Sequence, residues 1–223
     1  MSDMQTPDEG PVLQIDIVSD VVCPWCIIGF RQLEKALRIT ATSASIRWHP
    51  FELNPHMAEE GENLREHLAA KYGTAPEESR KARDRLTAIG EEVGFTFNYA
   101  DDMRMVNTFR AHQLIRWAGR QGKEHHAEMA LFEAFFARRE NLNDLQVLAD
   151  AAGSLGLDRA EALAVLEDGR FADEVRKEEA FWTSNGIQGV PAVIFDRQHL
   201  VTGAQGTDNY VAILRQLASG KAA

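Results

Sequence analysis

Two cysteines, Cys23 and Cys26, are the whole thiol complement of the 223-residue chain, and they stand three positions apart. Two cysteines dropped at random would fall at that spacing about 1% of the time, so the pair carries information by itself. A vicinal dithiol supports two kinds of chemistry. In thiol–disulfide exchange, one sulfur attacks a disulfide and the other resolves the mixed disulfide. In a metal site the pair supplies half of a tetrahedral zinc shell. Zinc needs two more ligands. The seven histidines (His49, His56, His67, His112, His125, His126 and His199) are scattered, and the chain has no second C-x-x-C and no H-x3-H. No metal is therefore expected, and His125-His126 would point to different faces of a helix. A disulfide-stapled secreted fold would carry more cysteines at wider spacing, so the expected compartment is a reducing cytoplasm.

The elements around the dithiol can be read outward from it. Leu13-Gln14-Ile15-Asp16-Ile17-Val18 is rich in β-branched residues and reads as a strand leading through Ser19-Asp20-Val21-Val22 to Cys23-Pro24-Trp25-Cys26. Ile27, Phe30, Leu33 and Leu37 then recur at helical spacing. Cys23 becomes the N-cap, Pro24 the first helical residue, where its missing N–H costs nothing, and Cys26 the third, with its amide predicted to point at the Cys23 sulfur. Free amides and the positive end of the helix dipole favour a thiolate on Cys23, the candidate nucleophile. Cys26, one turn deeper, is the candidate resolving thiol, and an internal Cys23–Cys26 disulfide is the redox-active group. Trp25 would shape an apolar surface beside the sulfurs, or simply pack. Asp20 would cap the loop backbone or, less favoured, accept a proton.

Composition bounds the rest. A hydrophobic share of 44%, a charged share of 26%, 16 Gly and 7 Pro exclude collagen-like, low-complexity and disordered chains. Twenty-four basic against 34 acidic residues give a net charge of -10, which disfavours nucleic-acid and anionic-lipid partners. MSDMQTPDEGPV has no basic region and no apolar run, so a secretory signal is not expected there. No membrane span is expected either: the Ala/Phe-rich segment from Ala127 to Ala137 is broken by Glu128 and Glu133.

The block at residues 13–38, Gly189-Val190-Pro191 and the late Gly203-Ala204-Gln205 resemble the thioredoxin superfamily, its DsbA-like family and, within it, the cytoplasmic FrnE-type thiol–disulfide oxidoreductases. The resemblance implies a cis Pro191 facing the dithiol, with the Val190 backbone offered to an extended substrate by strand addition. It implies a disulfide- or dithiol-containing protein or peptide as substrate, glutathione as a reductant, and no bound cofactor. Gln205 joins Asp20 as an auxiliary candidate. Superfamily members often carry a buried carboxylate that assists the resolving thiol. Asp16 and Glu52 are the candidates, although alternation places them in solvent equally well. Asn107-Thr108-Phe109 and His112 also resemble the FrnE-type pattern, with helix capping and satisfied packing as their default roles.

The inferred fold class is α/β: a thioredoxin-like β-α-β, a large helical insertion, then β-β-α. Residues 13–59 and 187–219 form the core and 60–186 the inserted helical subdomain. Ala44 to Phe51 alternates as a second strand parallel to the first. Capping pairs Asn63/Glu66, Thr74/Glu77, Asn143/Gln146 and Asp158/Glu161 open the inserted helices, and Gly73, Gly94, Gly122, Gly156 and Gly169 stop them. The Phe132 to Phe136 cluster is core. Ala192 to Phe195 and His199 to Thr202 form a hairpin, and Thr207 caps a final helix.

The leading functional expectation is a disulfide reductase or isomerase. A glutathione-dependent isomerase or transferase of the kappa or hydroxychromene-carboxylate isomerase type is the second. Those relatives use Ser in place of the first cysteine, and Ala204-Gln205 stands where the kappa family has a Ser-Asp pair for glutathione. A redox-sensing or chaperone-like binding module is the third. The oligomeric state is left open.

Overall fold

The computed structural model describes residues 12–220, so the amino-terminal MSDMQTPDEGP segment discussed above lies outside the described residues. Strand β1 (Leu13–Ser19) runs into helix α1 (Pro24–Thr40), which returns the chain to β2 (Ala44–Pro50), parallel to β1 with Ile15 opposite Ile46 and Ile17 opposite Trp48. A short antiparallel pair, β3 (Glu62–Asn63) and β4 (Arg104–Met105), brackets α2 (Leu64–Tyr72) and α3 (Pro76–Val93). Then come α4 (Phe109–Gly119), α5 (Glu124–Phe132) with a π-helical turn at Glu133–Ala137, α6 (Leu145–Ser154), α7 (Arg159–Asp168) and α8 (Ala172–Ser184). The chain closes with the hairpin β5 (Ala192–Phe195) and β6 (His199–Thr202) and helix α9 (Thr207–Ala218). The main sheet has the order β2-β1-β5-β6, with β5 antiparallel to β1 and Ile17 opposite Val193. This is the β-α-β and β-β-α order of a thioredoxin-like α/β fold.

The central position of β1 explains its composition. Ile15 and Ile17 face the main core with α1 and α9, while Val18 joins Ile187, Ala192 and Ile194 on the opposite face. A strand covered on both sides must be apolar on both. Asp16 and Ser19 are the buried polar exceptions, and Asp16 is paired with His49 (Nε2 to Oδ1, 2.7 Å). Along α1, Ile27, Phe30, Leu33 and Ala36 form the buried stripe. Gly29 lies where the dithiol helix meets the late loops: a Cβ there would stand in ordinary contact, 3.4 Å from both the Pro191 ring and the Ala204 backbone. Gly90 of α3 is more constrained, since a Cβ would stand 2.6 Å from the Phe95 carbonyl oxygen. On the outer strand β2, the Trp48 N–H donates to the Glu124 carboxylate of α5 at 3.0 Å.

Several helix starts fall one residue from the expected position. Asn63 and Asp158 cap α2 and α7 through their side chains. For α3, however, Ala75 rather than Thr74 is the N-cap, because Pro76 fits the first helical position and the Glu78 side chain accepts from the Ala75 N–H. For α6 the cap is Asp144 rather than Asn143, and for α9 it is Gly206 (φ 84°), with Thr207 the first helical residue. Gly73, Gly94 and Gly169 end their helices in the left-handed conformation. The β3–β4 pair was not foreseen in a region read as helical, because strands of two residues leave no alternation to detect. Among the described residues, no helix is long and apolar enough to cross a membrane.

Candidate active site

Cys23 is the N-cap of α1 with extended backbone angles, and Pro24 opens the helix. The local turn is closed by the Cys23 N–H donating to the Asp20 carbonyl at 2.9 Å and the Cys26 N–H donating to the Cys23 carbonyl at 3.1 Å. The Cys26 amide is therefore engaged by the Cys23 carbonyl oxygen, and the expected bond to the Cys23 sulfur is not formed. Cys23 directs its thiol at the Val190 carbonyl oxygen, 3.8 Å away, where the Val190–Pro191 peptide is cis. Both cysteines are free thiols.

The two sulfurs face different surroundings. In front, Cys23, Trp25 and Val190 border a cavity of about 360 Å³, whose far wall is built by α2 and α3. Trp25 is 40% exposed there. Behind, Cys26 is fully buried. Burial and the neighbouring Cys23 push its thiol well above the usual range, while the Asp20 backbone and the Ser19 hydroxyl work the other way. The Ser19 hydroxyl in turn donates to Glu128 Oε1 at 2.8 Å. Glu128, on α5, is buried, and burial pushes its carboxyl up to about 7, with Asp20 and Glu124 adding to the rise and His112 and Ser19 restraining it.

Asp20 is fully buried and caps the loop: its carboxylate accepts from the Leu53 N–H at 2.7 Å and from the Val22 N–H at 3.5 Å. His112, on α4, places Nε2 3.1 Å from the Phe51 carbonyl and 3.7 Å from Asp20. Burial opposes charge on this imidazole, but Asp20, Glu128 and Glu179 outweigh it and push His112 up to about 9. His112 is thus packed and hydrogen-bonded, with carboxyl groups around it that favour its charged form.

Asp16 and Glu52 are buried, not solvent-facing, and their partners lie elsewhere. Asp16 bonds His49, while Glu52 pairs with Arg176 and lies near the Asn107 amide. The carboxyl that reaches the rear of the dithiol is Glu128, bonded to Ser19, a residue whose sequence context shows it only as an interruption of an apolar run. Asn107 caps the entry to α4 by accepting from the Phe109 N–H at 2.9 Å. The Gln205 side chain donates to the Thr202 carbonyl at 2.6 Å, and the neighbouring Gly206 N–H donates to Gln32 of α1 at 2.8 Å. His125 accepts from the Trp48 indole at 3.1 Å. Among the described residues, no group of three or more His, Cys, Asp or Glu side chains is placed to hold a metal ion.

Comparison with known proteins agrees with this geometry. The family profile of the DsbA-like thioredoxin domain matches residues 14–215. The chain belongs to the DsbA-like thioredoxin family. Family membership makes it a relative of thiol–disulfide oxidoreductases and isomerases whose redox-active cysteines are the reactive groups. Among solved structures, it is similar to the probable DsbA oxidoreductase SCO1869 from Streptomyces coelicolor, with 31% identity, a TM-score of 0.88, and 95% of this chain and 92% of that one covered. The cytosolic disulfide reductase DsbM from Pseudomonas aeruginosa, solved with GSH, shares the fold at 17% identity and a TM-score of 0.64, over 92% of this chain and 99% of that one. In sequence, the chain is 25% identical over 197 residues to the uncharacterized protein YwbO of Bacillus subtilis (strain 168), covering 88% of this chain and 92% of that protein.

Proposed function

We propose that the protein is a disulfide reductase or isomerase of the FrnE type that acts through the Cys23-Pro24-Trp25-Cys26 dithiol on disulfides of proteins or peptides in the cytoplasm. The observation that carries this reading is the asymmetry of the two sulfurs. Cys23 borders an open cavity and meets the Val190 carbonyl, whereas Cys26 is sealed behind it, with Ser19 beside it bonded to the buried Glu128 carboxyl. A substrate strand would pair with the Val190 backbone so that its disulfide meets Cys23.

The Cys23 thiolate attacks one substrate sulfur. The substrate S–S bond breaks, a substrate thiolate leaves, and a mixed disulfide forms on Cys23. Cys26 then loses its proton by way of Ser19 to ionised Glu128 and attacks the Cys23 sulfur. The second substrate thiolate departs, and the dithiol ends as the Cys23–Cys26 disulfide. Two electrons have passed to the substrate, and its thiolates take protons from solvent. Two molecules of a thiol such as glutathione restore the dithiol and leave as their own disulfide. His112 and Asp20 position this rear layer: Asp20 holds the loop before Cys23, and His112 places positive charge beside Asp20 and Glu128.

Insulin reduction driven by glutathione, with wild type and Cys23→Ser, tests the reading. Turnover in the wild type and its loss in Cys23→Ser are expected. Absence of turnover in both points to a binding module instead, and glutathione-dependent isomerisation retained by Cys23→Ser points to the isomerase chemistry of the hydroxychromene-carboxylate type.

A further inference from the structure

We propose that the cavity in front of Cys23 is a binding site for a small organic disulfide that combines an apolar body with a carboxylate. This inference rests on the oxidoreductase reading and adds a substrate class to it. The cavity volume, about 360 Å³, falls in the range of small-molecule sites. Most of its wall is apolar, with Leu53, Leu64, Leu68, Leu86, Tyr99 and Phe136.

Its polar lining is one-sided. Arg83 and Lys71 contribute cationic side chains, and no Asp or Glu is among the described residues that line it. In a chain of net charge -10, a pocket at the nucleophile lined by two cations and by no carboxylate among the described residues favours a ligand that carries an anionic group. The Lys71 ammonium donates to neutral partners, the Leu53 carbonyl at 2.9 Å and the Asn54 side-chain oxygen at 2.7 Å.

Deeper in, Ser79 and Arg83 of α3 are buried, with 2% and 9% exposure. The Ser79 hydroxyl and the Arg83 Nε have no hydrogen-bond partner among the described residues. The other Arg83 nitrogens reach the Ala100 carbonyl at 3.5 Å and form an ion pair at 3.4 Å with Asp101, a carboxylate exposed to solvent, which leaves Nε free. Buried donors without acceptors are costly and uncommon. A ligand carboxylate would accept from both, with its apolar body against the leucines and its sulfur at Cys23. The chemistry is the exchange already described. Cys23 and one ligand sulfur form a bond as the ligand S–S breaks, Cys26 closes the internal disulfide, and both halves of the ligand leave as thiolates carrying the two electrons of the dithiol.

The test mixes fully reduced protein with para-dithiodibenzoate or with its neutral bis-amide and follows single-turnover oxidation by Trp fluorescence. For the wild type, the rate is expected to saturate at a concentration about tenfold lower for the acid than for the amide, the effect of a charge-assisted pair. Arg83→Gln lowers that ratio towards one. Because Arg83 is buried, Lys71→Gln at the exposed rim provides a second arm and is expected to lower the ratio in part. Glutathione disulfide, which has carboxylates on a polar body, is expected to saturate more weakly than the aromatic acid. A wild-type ratio near one, a ratio that both variants leave unchanged, or equal saturation by glutathione disulfide overturns the assignment. If insulin is reduced while the ratio stays near one, the cavity proposal alone fails. If neither insulin nor any small disulfide is reduced, the oxidoreductase reading falls with it.

Discussion

Cys23 and Cys26 sit one turn apart on the same helix, but the two sides of that turn are built on opposite terms. The front side is a surface problem. Cys23 meets a backbone carbonyl, a half-exposed indole and an apolar cavity, so contacts there select what approaches. The rear side is a buried electrostatic problem, in which Ser19 bonds Glu128 and His112 stands beside Asp20. The sulfurs come from β1–α1, yet the walls on both sides come largely from the helices between β2 and β5. α2 and α3 face the front, and α4 and α5 face the rear. The comparison teaches that one strand-to-helix junction carries both sulfurs and that the intervening helices supply much of what surrounds them.

The strongest way to break this comparison is to remove the rear sulfur and keep the front. Cys26→Ser is expected to cut steady-state insulin reduction by about 10³-fold while leaving the first attack intact. The mixed disulfide on Cys23 should accumulate in mass spectra and dissolve with dithiothreitol. Equal turnover in variant and wild type would erase the distinction between attacking and resolving sulfurs.

Glu128→Gln keeps both sulfurs and removes the proton acceptor. The resolving step is expected to slow about 10²-fold, in the range of general acid–base catalysis. Glu128 accepts a proton only when ionised, so the wild-type resolving rate should climb as pH rises through about 7, and the variant should lose that climb. Stopped-flow rates from about pH 5.5 to 8.5, roughly 1.5 units either side of that value, decide it. A climb of the same size in the variant excludes Glu128.

The rear layer should also make stability pH-dependent, with one sign. His112 stands above its ordinary value of 6.5, so its contribution is complete below pH 6.5 and is lost as pH rises through about 9. Glu128, raised above 4.5, favours the folded state while protonated and loses that advantage between 4.5 and about 7. Both losses run towards high pH. Unfolding free energies from urea titrations are expected to fall by several kcal/mol across this interval, with the midpoints falling in step, and His112→Gln should flatten the upper part. A midpoint that rises with pH would reverse the assignment.

The smallest effect belongs to the front. Trp25→Ala is expected to raise KM for insulin about threefold with kcat nearly unchanged, and to cost under about 1 kcal/mol of stability, because the indole is 40% exposed. A large loss of kcat would mean that Trp25 shapes the reacting sulfurs as well as the approach to them.

Front and rear also differ in how far they could be read from the sequence. Cys23, Pro24 and Cys26 declare a strand-to-helix junction because the information is local: spacing, a proline at the first helical position, apolar periodicity on both sides. The parallel β1–β2 pair and the β5–β6 hairpin follow in the same way. Glu128 could not be found like this. It lies more than a hundred residues from Ser19 along the chain, and in an amphipathic segment a carboxylate is ordinarily the solvent-facing residue; only the docking of α5 against β2 turns it inward. The resemblance to the thioredoxin superfamily points to Asp16 and Glu52 as the buried carboxylate, but His49 and Arg176 take them up. The shifts from Thr74 to Ala75 and from Asn143 to Asp144 show the ordinary limit of capping signals, where adjacent residues compete and the tertiary fit chooses between them.

The Trp48 amide held by Glu124 has a consequence for how this chain could be shortened. β2 is a border of the main sheet, and its main chain is an open template for pairing with a second molecule. Truncating the intervening helices to leave a minimal dithiol scaffold would strip that guard, and the product would be a self-associating fragment prone to aggregation.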